Sequence, residues 1–214
     1  MKLYGHRGDT ANRTPENTMA AFRQARNQGV GIETDLRTDG DGIVILFHDR
    51  CVKGVRVDML TREQISRKVG YEVPTLDEFL DEDWSVPVNF DVKTPYAFER
   101  ALPKLRRRSP SDMLITAFDH SIAHEAAHYG FEAGLLTASS PHRDEAWPTA
   151  AIRLKTIVWH FDVVTRDIVS RARDDGFRTI VYGPTTYGEH MRLHAMEVDA
   201  VITDHVELGL RAIR

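Results

Sequence analysis

What most constrains this chain is a rhythm. Apolar runs of strand length return nine times in 214 residues, at 3–5, 32–36, 43–47, 88–92, 113–118, 133–136, 156–159, 179–182 and 200–202, and helix signals fill most of the intervals. Thr14-Pro15-Glu16-Asn17 reads as a threonine N-cap with proline at the first helical position, and Gly29 ends that helix. Thr61-Arg62-Glu63-Gln64 and Thr75-Leu76-Asp77-Glu78 both match the capping box, in which the residue three past the cap reaches back to the cap's own amide. Further helices are expected near 96–107, 121–129, 166–175, 187–197 and 205–213. Pro103 counts against the first of these, because an interior proline kinks or breaks a helix.

Strands alternating with helices in one chain argue for a parallel sheet. About eight such repeats in this length suit a (β/α)8 TIM barrel at the small end of its size range. Nine candidate strands are one too many. The Asp39-Gly40-Asp41-Gly42 turn leaves little room for a helix between the second and third runs. A hairpin there is the alternative, and it would set Glu33 roughly opposite His48. No linker, repeat or low-complexity tract divides residues 1–214, so a single domain is expected; Ser109-Pro110 and Ser140-Pro141 read as loops.

Composition narrows the partners. A formal net charge of −4 argues against nucleic acid. The one basic run, Lys104-Leu105-Arg106-Arg107-Arg108, precedes Ser109-Pro110 and reads as a helix C-terminus with cations against the helix dipole. Cys51 is the only cysteine, so no intrachain disulfide can form. The N-terminus shows no apolar signal-peptide core, and no apolar run approaches the roughly 20 residues of a membrane span. A cytoplasmic location is the expectation.

Four short segments carry the chemistry: His6-Arg7-Gly8, Glu33-Thr34-Asp35, His48-Asp49 and Asp91-Val92-Lys93. Each falls in or at the end of a candidate strand. Glu33 and Asp35 are two apart and share a strand face, where two carboxylates repel unless a cation lies between them. Asp91, at another strand end, is the natural third ligand. All-oxygen ligation favours Mg²⁺ or Ca²⁺ over zinc. His6 and His48 beside acids suit general acid and base work near neutral pH. Arg7 and Lys93 are cations able to neutralise phosphate oxygens. Asp49 either orients His48 or faces solvent.

These residues have a wider context. His6-Arg7-Gly8, Pro15-Glu16-Asn17-Thr18, Ala21-Phe22, Ala25 and Gly29 resemble the opening of the glycerophosphodiester phosphodiesterase family. The likeness continues through Ile32-Glu33-Thr34-Asp35, Thr38, Asp41-Gly42, His48-Asp49, the 73–78 segment, 89–93 and Val201-Ile202-Thr203-Asp204. The resemblance implies a phosphatidylinositol-phospholipase-C-like barrel with a divalent metal at its C-terminal mouth. On that pattern Glu33, Asp35 and Asp91 hold the metal, and His6 and His48 are the acid–base pair. Arg7 and Lys93 bind phosphate, and Glu16 and Asn17 shape the first loop and join the substrate-binding set. The implied substrate is a small-molecule glycerophosphodiester, and the products are an alcohol and sn-glycerol 3-phosphate. This chain departs from the pattern at Asp91, where the family often has glutamate, at Ala117-Phe118, and at Tyr182-Gly183-Pro184-Thr185. The region after His48-Asp49 is too short for the insertion domain of some members.

Rival readings follow from other residues. A related phospholipase or lyase would share the machinery, and a catalytically silent barrel would only bind a phosphorylated ligand. His124-Glu125-Ala126-Ala127-His128 matches the helical zinc-protease signature, with His120 one turn before it, but the segment follows a strand as an ordinary barrel helix does. Trp84 and Trp147 read as core, whereas Trp159 and Tyr182 end candidate strands and are possible pocket walls.

Overall fold

The computed structural model describes residues 1–107, 113–139 and 154–214. In chain order the elements are β1 (Lys2–Gly5), α1 (Met19–Asn27), β2 (Gly31–Thr38), β3 (Val44–Leu46), β4 (Cys51–Val52), β5 (Val55–Arg56), α2 (Arg62–Val69), α3 (Leu76–Leu80), β6 (Val88–Val92) and α4 (Pro95–Leu105). Then come β7 (Met113–Ala117), α5 (His120–His128), β8 (Glu132–Thr137), β9 (Thr156–His160), α6 (Arg166–Asp174), β10 (Arg178–Tyr182), α7 (Tyr187–Ala195), β11 (Ala200–Thr203) and α8 (Val206–Ala212). The sheet runs β1-β11-β10-β9-β8-β7-β6-β2, and β1 pairs with β2 to close it. All eight pairings around the ring are parallel, so this is a (β/α)8 barrel. Ser109-Pro110, Ser140-Pro141, Arg108 and Trp147 lie outside the described residues.

The ninth candidate strand is β3. It runs antiparallel to the far end of β2, with Leu36 opposite Leu46 and Thr38 opposite Val44. The hairpin is therefore real, but Glu33 does not face His48 across it; Glu33 pairs in parallel register with Asn89 of β6. With β4, β5, α2 and α3, this excursion fills the interval between two barrel strands. It has its own small core of Ile45, Phe47, Val52, Val57, Leu60, Ile65 and Val73.

Strand alternation sorts side chains into two layers. Tyr4, Leu114, Leu136, Val158, Ile180 and Ile202 fill the barrel interior. Ile32, Phe90, Ile115, Leu135, Ile157, Trp159 and Val181 point outward beneath the helices. On β2 and β6 the inward positions are instead polar: Glu33, Asp35, Asn89 and Asp91 are all buried. That breaks the apolar filling on one side of the barrel.

Threonine caps begin α1, α2, α3, α4, α6 and α7, through Thr18, Thr61, Thr75, Thr94, Thr165 and Thr186. Each satisfies an otherwise orphaned amide of the first turn. The first helix starts four residues later than the Thr14-Pro15 signal indicates, because Asn17 takes a left-handed φ of 53° and interrupts it. Pro103 stays inside α4, near its end and on its exposed side.

Candidate active site

The acids and histidines collect at the C-terminal mouth of the barrel, where the loops after parallel strands converge. The first turn shows why glycine surrounds them. Gly8 has φ +88°, and a Cβ there would come within 2.7 Å of Ala21. Arg7 is also left-handed at φ 58°, which points its amide at Glu33 Oε2, 2.8 Å away.

Glu33, Asp35 and Asp91 are buried together, with one potential ligand atom from each lying within 4.8 Å of the others. Asp35 and Asp91 are direct register partners on β2 and β6. Lys93 Nζ bridges them, 2.7 Å from Asp35 Oδ1 and in a short contact with Asp91 Oδ2. Asn17 Nδ2 donates to Asp35 Oδ2 at 2.7 Å, while Asn17 Oδ1 accepts from the Thr34 hydroxyl at 2.7 Å. Arg7 Nη1 donates to both Glu16 oxygens at 2.8 Å. Glu16 and Asn17, expected to shape the first loop and to join the substrate-binding set, hold Arg7 and Asp35.

Burial and the neighbouring Asp35 charge push the Glu33 carboxyl up to about 8. Asp35 goes the other way: burial opposes its charge, but Lys93 and Arg7 hold it below the usual carboxylate range. Burial also raises Asp91, against the pull of Lys93. Asp91 Oδ1 is buried with no hydrogen-bond partner. Three buried carboxylates with an orphaned oxygen fit a hard divalent cation, since all donors are oxygen. Among the described residues this is the one cluster of three such ligands.

Both histidines are held the same way. His6 Nδ1 lies 2.8 Å from Asp204 Oδ1, and His48 Nδ1 lies 2.9 Å from Asp49 Oδ1. An ionised carboxylate only accepts, so each Nδ1 carries the proton and each Nε2 is left for other partners. His6 Nε2 is 4.0 Å from Glu33 Oε2. Burial works to lower the His6 pKa, but the Asp204 hydrogen bond and the Glu33 charge raise it overall. Asp49 thus orients His48, the first of the two options the sequence leaves open.

Across the mouth, Phe118 and Tyr182 meet edge to face with ring centroids 6.4 Å apart, and His160 packs 4.9 Å from Tyr182. Trp159 is not a pocket wall: it is 1% exposed and lies in the core between strands and helices. The alternation that turns Trp159 outward turns His160 to the mouth. His124 and His128 stand on α5, and His120 Nε2 lies 3.2 Å from the Leu136 carbonyl oxygen. No third ligand joins them among the described residues, so the zinc-protease reading falls.

The sequence model of the glycerophosphoryl diester phosphodiesterase family matches residues 6–126 and 112–208. The chain belongs to that family. A probable glycerophosphodiester phosphodiesterase 2 of Mycobacterium tuberculosis (strain ATCC 25618 / H37Rv) is 34% identical over 111 residues, covering 48% of this chain and 42% of that protein. A glycerophosphodiester phosphodiesterase of Caldanaerobacter subterraneus subsp. tengcongensis is 25% identical, covering 99% of this chain and 97% of its own. Among solved structures, an Oleispira antarctica phosphodiesterase in complex with the product sn-glycerol-3-phosphate superposes with a TM-score of 0.87 at 21% identity, covering 100% of this chain and 96% of that one. A family fold of this kind agrees with the closed barrel described above. In this family member no helix among the described residues is long and apolar enough to cross a membrane.

Two mouth residues escape the sequence reading. Asp204 sits in the terminal Thr203-Asp204 segment but carries no role there, because its partner His6 is 198 residues away. Arg37 lies on the same face as Glu33 and Asp35, two positions on, and that spacing was the available signal.

Proposed function

We propose that this protein hydrolyses glycerophosphodiesters to an alcohol and sn-glycerol 3-phosphate at the mouth of the barrel. The observation that carries the reading is the buried Glu33, Asp35 and Asp91 cluster beside two histidines, each with Nδ1 held by an aspartate. Glu33, Asp35 and Asp91 would hold a divalent ion, Mg²⁺ or Ca²⁺. When bound, the ion supplies positive charge to the oxygens of the scissile phosphate. Arg7 and Lys93 add positive potential at the mouth. One histidine takes a proton from the attacking water through its Nε2 as the new P–O bond forms. The bond to the leaving alkoxide breaks, and the other histidine gives that oxygen its proton. Phe118, Tyr182 and His160 form the wall of the mouth on the side away from the acids.

The test is a panel of glycerophosphocholine, glycerophosphoethanolamine, glycerophosphoglycerol, glycerophosphoinositol and a chromogenic phosphodiester. Each is incubated with Mg²⁺, Ca²⁺, Mn²⁺ or EDTA, and glycerol 3-phosphate and free headgroup are measured. Metal-dependent release of glycerol 3-phosphate is expected. A cyclic phosphate product points to the lyase alternative, and inactivity on every substrate with every metal removes the proposal.

A further inference from the structure

β2 places three charged side chains on one face at intervals of two: Glu33, Asp35 and Arg37. The first two belong to the acid cluster. Arg37 stands where β2 has run past the ring and pairs with Ile45 of β3. Its Nε donates to the His48 carbonyl oxygen at 2.6 Å. Its half-buried guanidinium feels the charges of Asp35, Asp91 and Asp49 together, although burial works to lower its pKa.

The terminal nitrogens are the telling part. Neither Nη of Arg37 donates to another described residue, and neither is sealed from solvent. The other mouth cations are more committed. Arg7 spends Nη1 on Glu16 and its buried Nε faces Asp35 Oδ2 at 3.4 Å, and Lys93 lies between Asp35 and Asp91. A guanidinium fixed at Nε with both Nη groups open presents two parallel donors, the geometry suited to two oxygens of one anion.

We infer that Arg37 grips the nonbridging oxygens of the substrate phosphate with its two terminal nitrogens, while its Nε holds the backbone of His48. The inference rests on the phosphodiesterase reading. It gives Arg37 two tasks, substrate binding and placement of the histidine on the same side. It also gives a use to the two solvent-open terminal donors of this partly buried cation, which meet no acceptor among the described residues.

The test uses Arg37→Gln and Arg37→Lys in the full chain, with thermal unfolding to confirm the fold. Glycerol 3-phosphate is titrated by calorimetry into Mg²⁺-supplied wild type and variants, and kcat and KM are measured on whichever panel substrate is turned over. Arg37→Gln is expected to weaken product binding at least about tenfold and to raise KM. Arg37→Lys keeps the charge but loses the paired donors, and is expected to fall between. Unchanged product affinity with a lowered kcat means that Arg37 only holds His48, and overturns the proposal. Unchanged affinity and unchanged kinetics overturn it too. Should the variants not fold, modification of wild-type Arg37 by phenylglyoxal, read by mass spectrometry, decides the point. Inorganic phosphate is expected to protect the side chain, and absence of protection refutes the proposal. Failure of the wild type to turn over any diester counts against the phosphodiesterase reading, whereas the calorimetry and protection experiments speak to Arg37 alone.

Discussion

Paired imidazoles with aspartates on Nδ1 make the mouth sensitive to single atoms. His6→Ala and His48→Ala are each expected to lower kcat at least ~100-fold, and Asp204→Asn roughly tenfold by loosening His6. Steady-state rates on the preferred diester, with circular dichroism as a fold control, check all three. Glu33 offers a second test. Its carboxyl, pushed up to about 8 by burial and Asp35, is mostly protonated at neutral pH in the metal-free protein. A metal takes the carboxylate form, so binding releases this proton and affinity rises with pH, by up to about tenfold per unit, levelling off near pH 8. Calorimetry at pH 7 in buffers of differing ionisation heat should show the proton in wild type and lose it in Glu33→Gln. The histidines and acids were legible because each short motif holds both the residue and its strand-end position. Asp204 was not, since only the closed ring brings it to His6. Trp159 was misplaced by one step of strand alternation, which put His160 at the mouth in its stead.

At the level of elements, the threonine caps govern how the loops leave the strands. Thr75 accepts from the Glu78 amide while Glu78 reaches back to the Thr75 amide, and α3 is only five residues long. So short a helix cannot stand on propensity alone. Thr75→Ala should cost about 1 kcal/mol, measured by chemical denaturation. The two capping boxes were readable because all their partners lie within four residues. The start of α1 was not, because Asn17 trades helical geometry for its bonds to Thr34 and Asp35 on β2. A local signal, Thr14-Pro15, lost to a tertiary one. The ninth strand shows the same competition: the Asp39–Gly42 turn announced a hairpin, but the register that sends Glu33 to Asn89 depends on β6, far along the chain.

Over the whole molecule, the strand rhythm predicted the barrel because each parallel strand must be covered by helices and so reads as an apolar run. Closure itself is a long-range event that no window of sequence contains. One buried group near the seam reports on it. His190 on α7 is fully buried, with Nδ1 2.7 Å from the Thr186 carbonyl oxygen and Nε2 2.9 Å from the Thr203 hydroxyl on β11. Burial lowers its pKa below 6.5 despite the Thr186 bond. The unfolded chain therefore takes up a proton near pH 6.5 that the folded chain refuses. The contribution of His190 is full above that pH, falls as pH drops towards the depressed folded value, and levels off below it. Thermal melts from pH 7.5 to 5.5 should show a shallower decline for His190→Asn than for wild type. The bond between His6 and Asp204 carries a consequence in time. It joins the end of the first strand to the end of the last, so His6, half of the proposed acid–base pair, lacks its Nδ1 partner until β11 docks between β1 and β10. On refolding, turnover should return with the slowest spectroscopic phase, which makes hydrolysis a clock for ring closure and leaves partly folded chains inert.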